Sequence, residues 1–303
     1  MSELEKPDVL VLGGGGILGE AWMSALLAGL EEATGFDARG CEAYVGTSAG
    51  SIVAAALVAG VDPRDRLGEL PEQPEVPDAA VGAEAPTPLA RIVAAGGEAL
   101  GPLAAIGLPY IEPGGALVRR QALARVRPGE RSLADLGAAL ERWGARWDGR
   151  LLISAVDFET GRRVMFGAPG APEASVPDAV EASCAIPGFF RPIAVDGRSY
   201  VDGGVWSPTN MDAAPVERGT RVLCLNPTAT LRWSRENPYG GLGIVSRSLA
   251  GVEGHYLERR GAKVEIVAPD VTATAVMAGR LMDPKLRSRT VAAGLAQGRA
   301  LAG

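Results

Sequence analysis

The segment of this chain best suited to chemistry is Gly46-Thr47-Ser48-Ala49-Gly50. A hydroxyl that attacks a carbonyl must stand clear of its neighbours, and a tight turn from strand into helix, with small residues on either side, presents a serine in that way. As a string, G-x-S-x-G is weak, because glycine and serine are common. Its force comes from the flanks: Glu42-Ala43-Tyr44-Val45 reads as a strand, and the small, apolar stretch from Ile52 to Ala59 as a buried helix. Ser48 is therefore a candidate nucleophile, with Gly46 and Gly50 forming its elbow; the competing reading is an ordinary glycine-rich turn. A helix N-terminus at this point adds amide donors and a favourable dipole where negative charge would develop.

A tetrahedral intermediate also needs donors aimed at its oxyanion, and the amides of a glycine-rich turn supply them without side-chain obstruction. Gly13-Gly14-Gly15-Gly16 ends the apolar run Asp8-Val9-Leu10-Val11-Leu12, so Gly14, Gly15 and Gly16 can lie beside Ser48 if the two strands are neighbours. Two other readings stay open. Gly14-Gly15-Gly16-Ile17-Leu18-Gly19 contains G-x-G-x-x-G, a phosphate or dinucleotide loop with Glu31, Glu32 and Asp37 downstream as ribose partners. It also fits a plain turn.

A serine hydroxyl needs a base, usually histidine. The chain has one, His255, which follows Ser48 and Asp202 in the Ser, Asp, His order of α/β-hydrolases. It falls inside a predicted helix, between Val252 and Leu257, where a surface role is the simpler reading. Without it a carboxylate must accept the proton. Asp202 is the best placed, because Asp202-Gly203-Gly204 follows a short strand and its glycines let the backbone turn sharply. A free aspartate titrates at about 3.9, so this role demands burial. Read alone, the same turn is structural.

The elements that must position these residues alternate. Strands are expected at Asp8–Leu12, Glu42–Val45, Arg150–Val156, Arg163–Phe166, Arg198–Val201, Thr220–Leu225 and Ala262–Val267. Helices are expected over Glu20–Leu30, Ile52–Ala59, Leu117–Val126, Ser132–Arg146, Val176–Cys184, Leu242–Arg260 and Lys285–Leu301. Such alternation predicts an α/β fold with a mostly parallel central sheet in one domain, with an irregular or cap-like insertion at about residues 61–115. Within that insertion, Val61 to Pro88 is rich in Pro, Asp and Glu and lacks a period. Leu89 to Ile111 is apolar but broken by glycine and proline, and reads either as short core helices or as a lid that contacts lipid.

Composition narrows the function classes. With 47% hydrophobic and 22% charged residues, the 303-residue chain is of ordinary globular type. A net charge of -6 argues against nucleic acid as a partner. Cys41, Cys184 and Cys224 lack metal or disulfide spacing and read as small buried hydrophobes. The polar start Met1–Lys6 is no secretory signal and no window is long and apolar enough to span a membrane, so the default expectation is cytoplasmic.

Taken together, these blocks resemble the patatin-like phospholipase family. Val11 to Gly19 is similar to the first family block, Gly46 to Gly50 to the second, and Asp202-Gly203-Gly204 to the last. Ala182-Ser183-Cys184-Ala185-Ile186-Pro187-Gly188-Phe189-Phe190 is similar to the segment ahead of the aspartate. The resemblance implies a three-layer α/β/α fold and a Ser48–Asp202 dyad that works without histidine. It also implies an oxyanion hole at Gly14 to Gly16, no metal or organic cofactor, and a lipid or other acyl-ester substrate met through transient contact with a membrane surface. Leu18 departs from the pattern, since the family usually carries Arg or Lys there. Two other readings stand beside this one: a catalytically silent lipid-binding or regulatory protein of the same fold, and a Ser-Asp-His esterase using His255. Head group, acyl chain and oligomeric state are not written in the sequence.

Overall fold

Strand β1 (Val9–Leu12) lies at the middle of the sheet, because both its faces are apolar and both are covered. The computed structural model describes residues 6–68, 114–231 and 240–301. β1 pairs in parallel with β2 (Ala43–Thr47) on one side and with β7 (Arg221–Leu225) on the other. Beyond these, β3 (Leu151–Asp157) joins β2 in parallel and β8 (Lys263–Val267) joins β7 in parallel. Three antiparallel strands complete the far side. β4 (Arg163–Phe166) and β6 (Arg198–Asp202) pair with β3, and β5 (Ile193–Val195) pairs with β6.

Alternate residues of each strand divide the core in two. Leu10 and Leu12 of β1, with Tyr44, Ile153 and Leu223 of its neighbours, face helices α1 (Gly16–Thr34), α2 (Ala49–Val58), α4 (Ala134–Arg142), α5 (Val176–Cys184), α7 (Val271–Met277) and α8 (Arg287–Ala300). Val9, Val11, Val45 and Val222 face α6 (Gly240–Arg259) through Ala250 and Leu257. α3 (Gly114–Leu123) packs through Leu123 on Val156 and Val201 of the same face. The result is a three-layer α/β/α arrangement with a mostly parallel sheet. α8 lies along α1, where glycine and alanine on both helices let the backbones approach closely. All three cysteines are free and buried. No helix among the described residues is long and apolar enough to cross a membrane.

One register sets the geometry of the site. On β3, residues Ile153 and Ser154 pair with both β2 and β4, and Ala155 and Val156 pair with both β4 and β6. A residue has only two edges, so β2 and β6 must share the edge opposite β4, one after the other. Thr47 at the end of β2 stands opposite Ser154, and Asp202 at the end of β6 stands opposite Ala155. The two turns that follow therefore meet at a seam.

Two short elements, β5 and α7, were not expected. The apolar Leu89–Ile111 region and most of the expected insertion lie outside the described residues; what is described ends in a 3-10 turn at Pro63–Arg66, capped by the Asp62 side chain.

Candidate active site

Ser48 occupies the step between β2 and α2 with φ 51° and ψ -121°, a left-handed backbone that is unusual for a residue with a Cβ. Three hydrogen bonds hold it there. Its N–H donates to the Ser183 hydroxyl at 2.8 Å, and its carbonyl accepts from the amide and the hydroxyl of Ser51 at 2.8 and 2.6 Å. Both flanking glycines are sterically required. A Cβ on Gly46 would lie 2.5 Å from the Ser51 Cα, and one on Gly50 would run into the Leu12 carbonyl. The elbow is thus packed directly against the end of β1, which brings the first glycine block beside it.

Asp202 ends β6 with its side chain almost wholly buried. Its amide donates to the Ala185 carbonyl at 3.0 Å, which ties it to the turn after α5. Its carboxylate accepts from the Gly204 amide at 2.7 Å, and the Ser48 side chain stands near enough to act on its charge. Burial raises its pKa to about 6, while Ser48 and the Gly204 amide pull the other way. The Cys184 thiol lies next to this pair, 3.8 Å from the Ser51 hydroxyl; burial, then the Asp202 charge, push its pKa far up, so it is a neutral neighbour.

The glycine run is more differentiated than its sequence. Gly13 N–H donates to the Leu225 carbonyl at 2.9 Å and Gly14 N–H to the Pro208 carbonyl at 2.8 Å. An amide carries one hydrogen, so the expectation that Gly14 serves as an oxyanion donor is revised: its amide is committed to Pro208. What Gly14 offers Ser48 is space, since a Cβ added there would stand 3.5 Å from the Ser48 Cβ. The Gly15 and Gly16 amides, at the N-terminus of α1, donate to no acceptor among the described residues. Pro227 and Met282 pack against these two glycines, where a Cβ would come within 2.6 and 2.7 Å of them. Leu18 is fully buried in the main core, and its amide donates to the Leu281 carbonyl at 3.0 Å.

His255 is not brought to this place. It sits on the exposed side of α6, 71% accessible, with Nδ1 3.5 Å from Glu258, whereas the neighbouring Leu257 and Glu253 point inward. Among the described residues no group of three His, Cys, Asp or Glu side chains could hold a metal. Ser183 is a site residue that its sequence block did not single out; a serine within an apolar helix turn gives no sign that its hydroxyl will receive the amide of a residue far earlier in the chain.

Among solved structures the chain is similar to VipD from Legionella pneumophila, at 17% identity over 99% of this chain and 67% of that one, with a TM-score of 0.44. It is also similar to the type III effector protein ExoU, at 18% identity over 99% of this chain and 53% of that one, with a TM-score of 0.36. A third likeness is to the ExoU–SpcU complex from the type III secretion system of Pseudomonas aeruginosa, at 22% identity over 84% of this chain and 52% of that one, with a TM-score of 0.31. The chain spans about half the length of the ExoU chains. A sequence model described as patatin-like phospholipase matches residues 10–73 and 129–215, which carry both the Ser48 elbow and the Asp202 turn. The chain belongs to the patatin-like phospholipase family, hydrolases acting on lipid esters.

Proposed function

We propose that the chain cleaves carboxylic esters of lipids through an acyl-enzyme on Ser48, with Asp202 as the base. The observation that carries this reading is the juxtaposition of the Ser48 elbow with a buried carboxylate, Asp202, whose pKa is raised by burial and lowered by the Ser48 side chain. As the Ser48 oxygen attacks the ester carbonyl, its proton passes to Asp202. The oxyanion is received by the amides of Gly15 and Gly16, backed by the positive end of α1. Collapse expels the alcohol, which takes the proton from Asp202. A water then attacks the acyl-enzyme, gives its proton to Asp202, and the acid departs as that proton returns to Ser48. The fold is proposed to work as one catalytic domain, with the apolar Leu89 to Ile111 region of its insertion at about residues 61–115 as the acyl-contacting wall.

Hydrolysis of short and medium-chain nitrophenyl esters by wild type, Ser48→Ala, Asp202→Asn and His255→Ala tests the reading. Loss in the first two variants and retention in the third is expected. Loss in His255→Ala as well would replace the dyad with a triad, and activity surviving in Ser48→Ala would remove the nucleophile altogether.

A further inference from the structure

After Asp202 the chain stays at the site. It passes through a 3-10 turn at Gly203–Val205 and reaches Asn210, fully buried and in the left-handed conformation with φ 48° and ψ 32°. The Asn210 side-chain nitrogen lies 2.6 Å from the Ser207 carbonyl and 3.3 Å from the Gly203 carbonyl. It also lies 3.1 Å from the Thr47 hydroxyl and 3.2 Å from the Ser154 hydroxyl. Its side-chain oxygen accepts from Arg163 at 3.3 Å. The amide can point only one way, because two carbonyls can only accept and a guanidinium can only donate.

Three of these five partners are the residue before Ser48, the residue after Asp202, and the β3 residue opposite Thr47. We infer that Asn210 is a positioning residue whose side-chain amide pins the strand end that carries Ser48 to the turn that follows Asp202. It thereby holds the gap across which the proton moves. The inference rests on the Ser48–Asp202 reading above. The segment around Asn210 is anchored from behind: the Thr209 carbonyl accepts from the Thr47 hydroxyl at 3.3 Å, the Thr209 hydroxyl donates to Glu253, and the Met211 amide donates to the same carboxylate at 2.8 Å. A clamp so fixed transmits position instead of following it.

A left-handed residue could equally be asparagine for its backbone alone. Two substitutions separate the roles. Asn210→Gly keeps the backbone and removes the amide, and Asn210→Asp keeps the shape and sets an oxygen against two carbonyls. Each is expected to slow acylation of the intact protein by an activated nitrophenyl ester about a hundredfold, with KM within about twofold. The acid limb of the rate profile should also move to higher pH, because a Ser48 side chain that is no longer held near Asp202 lowers its pKa less. Thr47→Val, which removes one partner hydroxyl and leaves Asn210 intact, is expected to slow acylation about tenfold and decides the matter should the Asn210 variants fail to fold. Folded Asn210 variants, or Thr47→Val, acylating at the wild-type rate with an unmoved limb would overturn the inference alone. Acylation persisting in Ser48→Ala would overturn the dyad and this inference with it.

Discussion

The Asp202 carboxylate lies beside Ser48 and is held by its own turn, where the Gly204 amide reaches it at 2.7 Å. Both neighbours favour the charged form, yet burial outweighs them and leaves the pKa at about 6. A base must be ionised, so kcat/KM for ester hydrolysis should rise with pH up to about 6 and level off above it. A flat profile from pH 5 to 8 would rule Asp202 out as the titrating base.

The same carboxylate costs stability. The folded state holds this proton more tightly than the unfolded chain, so stability is highest at low pH and declines as the pH rises from 3.8 to about 6. The displacement corresponds to about 3 kcal/mol at most. Asp202→Asn should therefore be inactive yet melt at or above the wild-type temperature at pH 8. A lower melting temperature would show that the charge itself supports the fold.

Glycines of the two candidate blocks should respond differently to one added methyl. Gly50→Ala drives a Cβ into the Leu12 carbonyl and Gly46→Ala into the Ser51 backbone, so both should lose more than about 3 kcal/mol of stability by denaturant titration. At Gly14 the methyl meets only ordinary contacts. Gly14→Ala should fold normally and lose ester hydrolysis, because the methyl fills the space in front of Ser48.

At Leu18 the family resemblance leads one to expect Arg or Lys, and placing a basic residue there should not help. The side chain is buried among the α1 core residues, so Leu18→Arg places a charge in an apolar site and should destabilise the protein by several kcal/mol. Leu18→Met, which conserves volume, should cost less than about 1.5 kcal/mol and keep activity. An arginine variant as stable as wild type would show that the helix can roll to expose this position.

Glu253 is fully buried behind the site, with one carboxylate oxygen receiving Thr209 and Met211 and the other without a hydrogen-bond partner. Burial, then the nearby Asp212 charge, raise its pKa. Its charged form therefore weakens the fold as the pH rises. Glu253→Gln should gain in melting temperature relative to wild type as the buffer is taken from pH 5 to 9, and a constant difference would contradict a protonated Glu253.

Much of the architecture is legible in the residues themselves. Val9–Leu12 and Arg221–Leu225 are covered on both faces and so read as unbroken apolar runs. Val176–Cys184 announces itself through Ser175, Pro177 and Asp178 at its start. Ile193–Val195 is too short to show a period, and the seven residues of Val271–Met277 are recognisable chiefly by Asp270, whose side chain caps them. Ser48 and Asp202 are legible as candidates because a sharp turn leaves a glycine signature. Their pairing, the commitment of the Gly14 amide to Pro208 and the role of Ser183 are contacts between distant segments, and no local pattern encodes them.

β3 works as a ruler. By seating β2 and β6 end to end on one edge, it fixes the interval between two turns separated by about 150 residues of chain, whatever is threaded between them. The family match breaks off at residue 73 and resumes at 129, within that interval. Chain between the two turns is free to differ in length or sequence as long as β2 and β6 keep their seats on β3, and the gauge is unchanged.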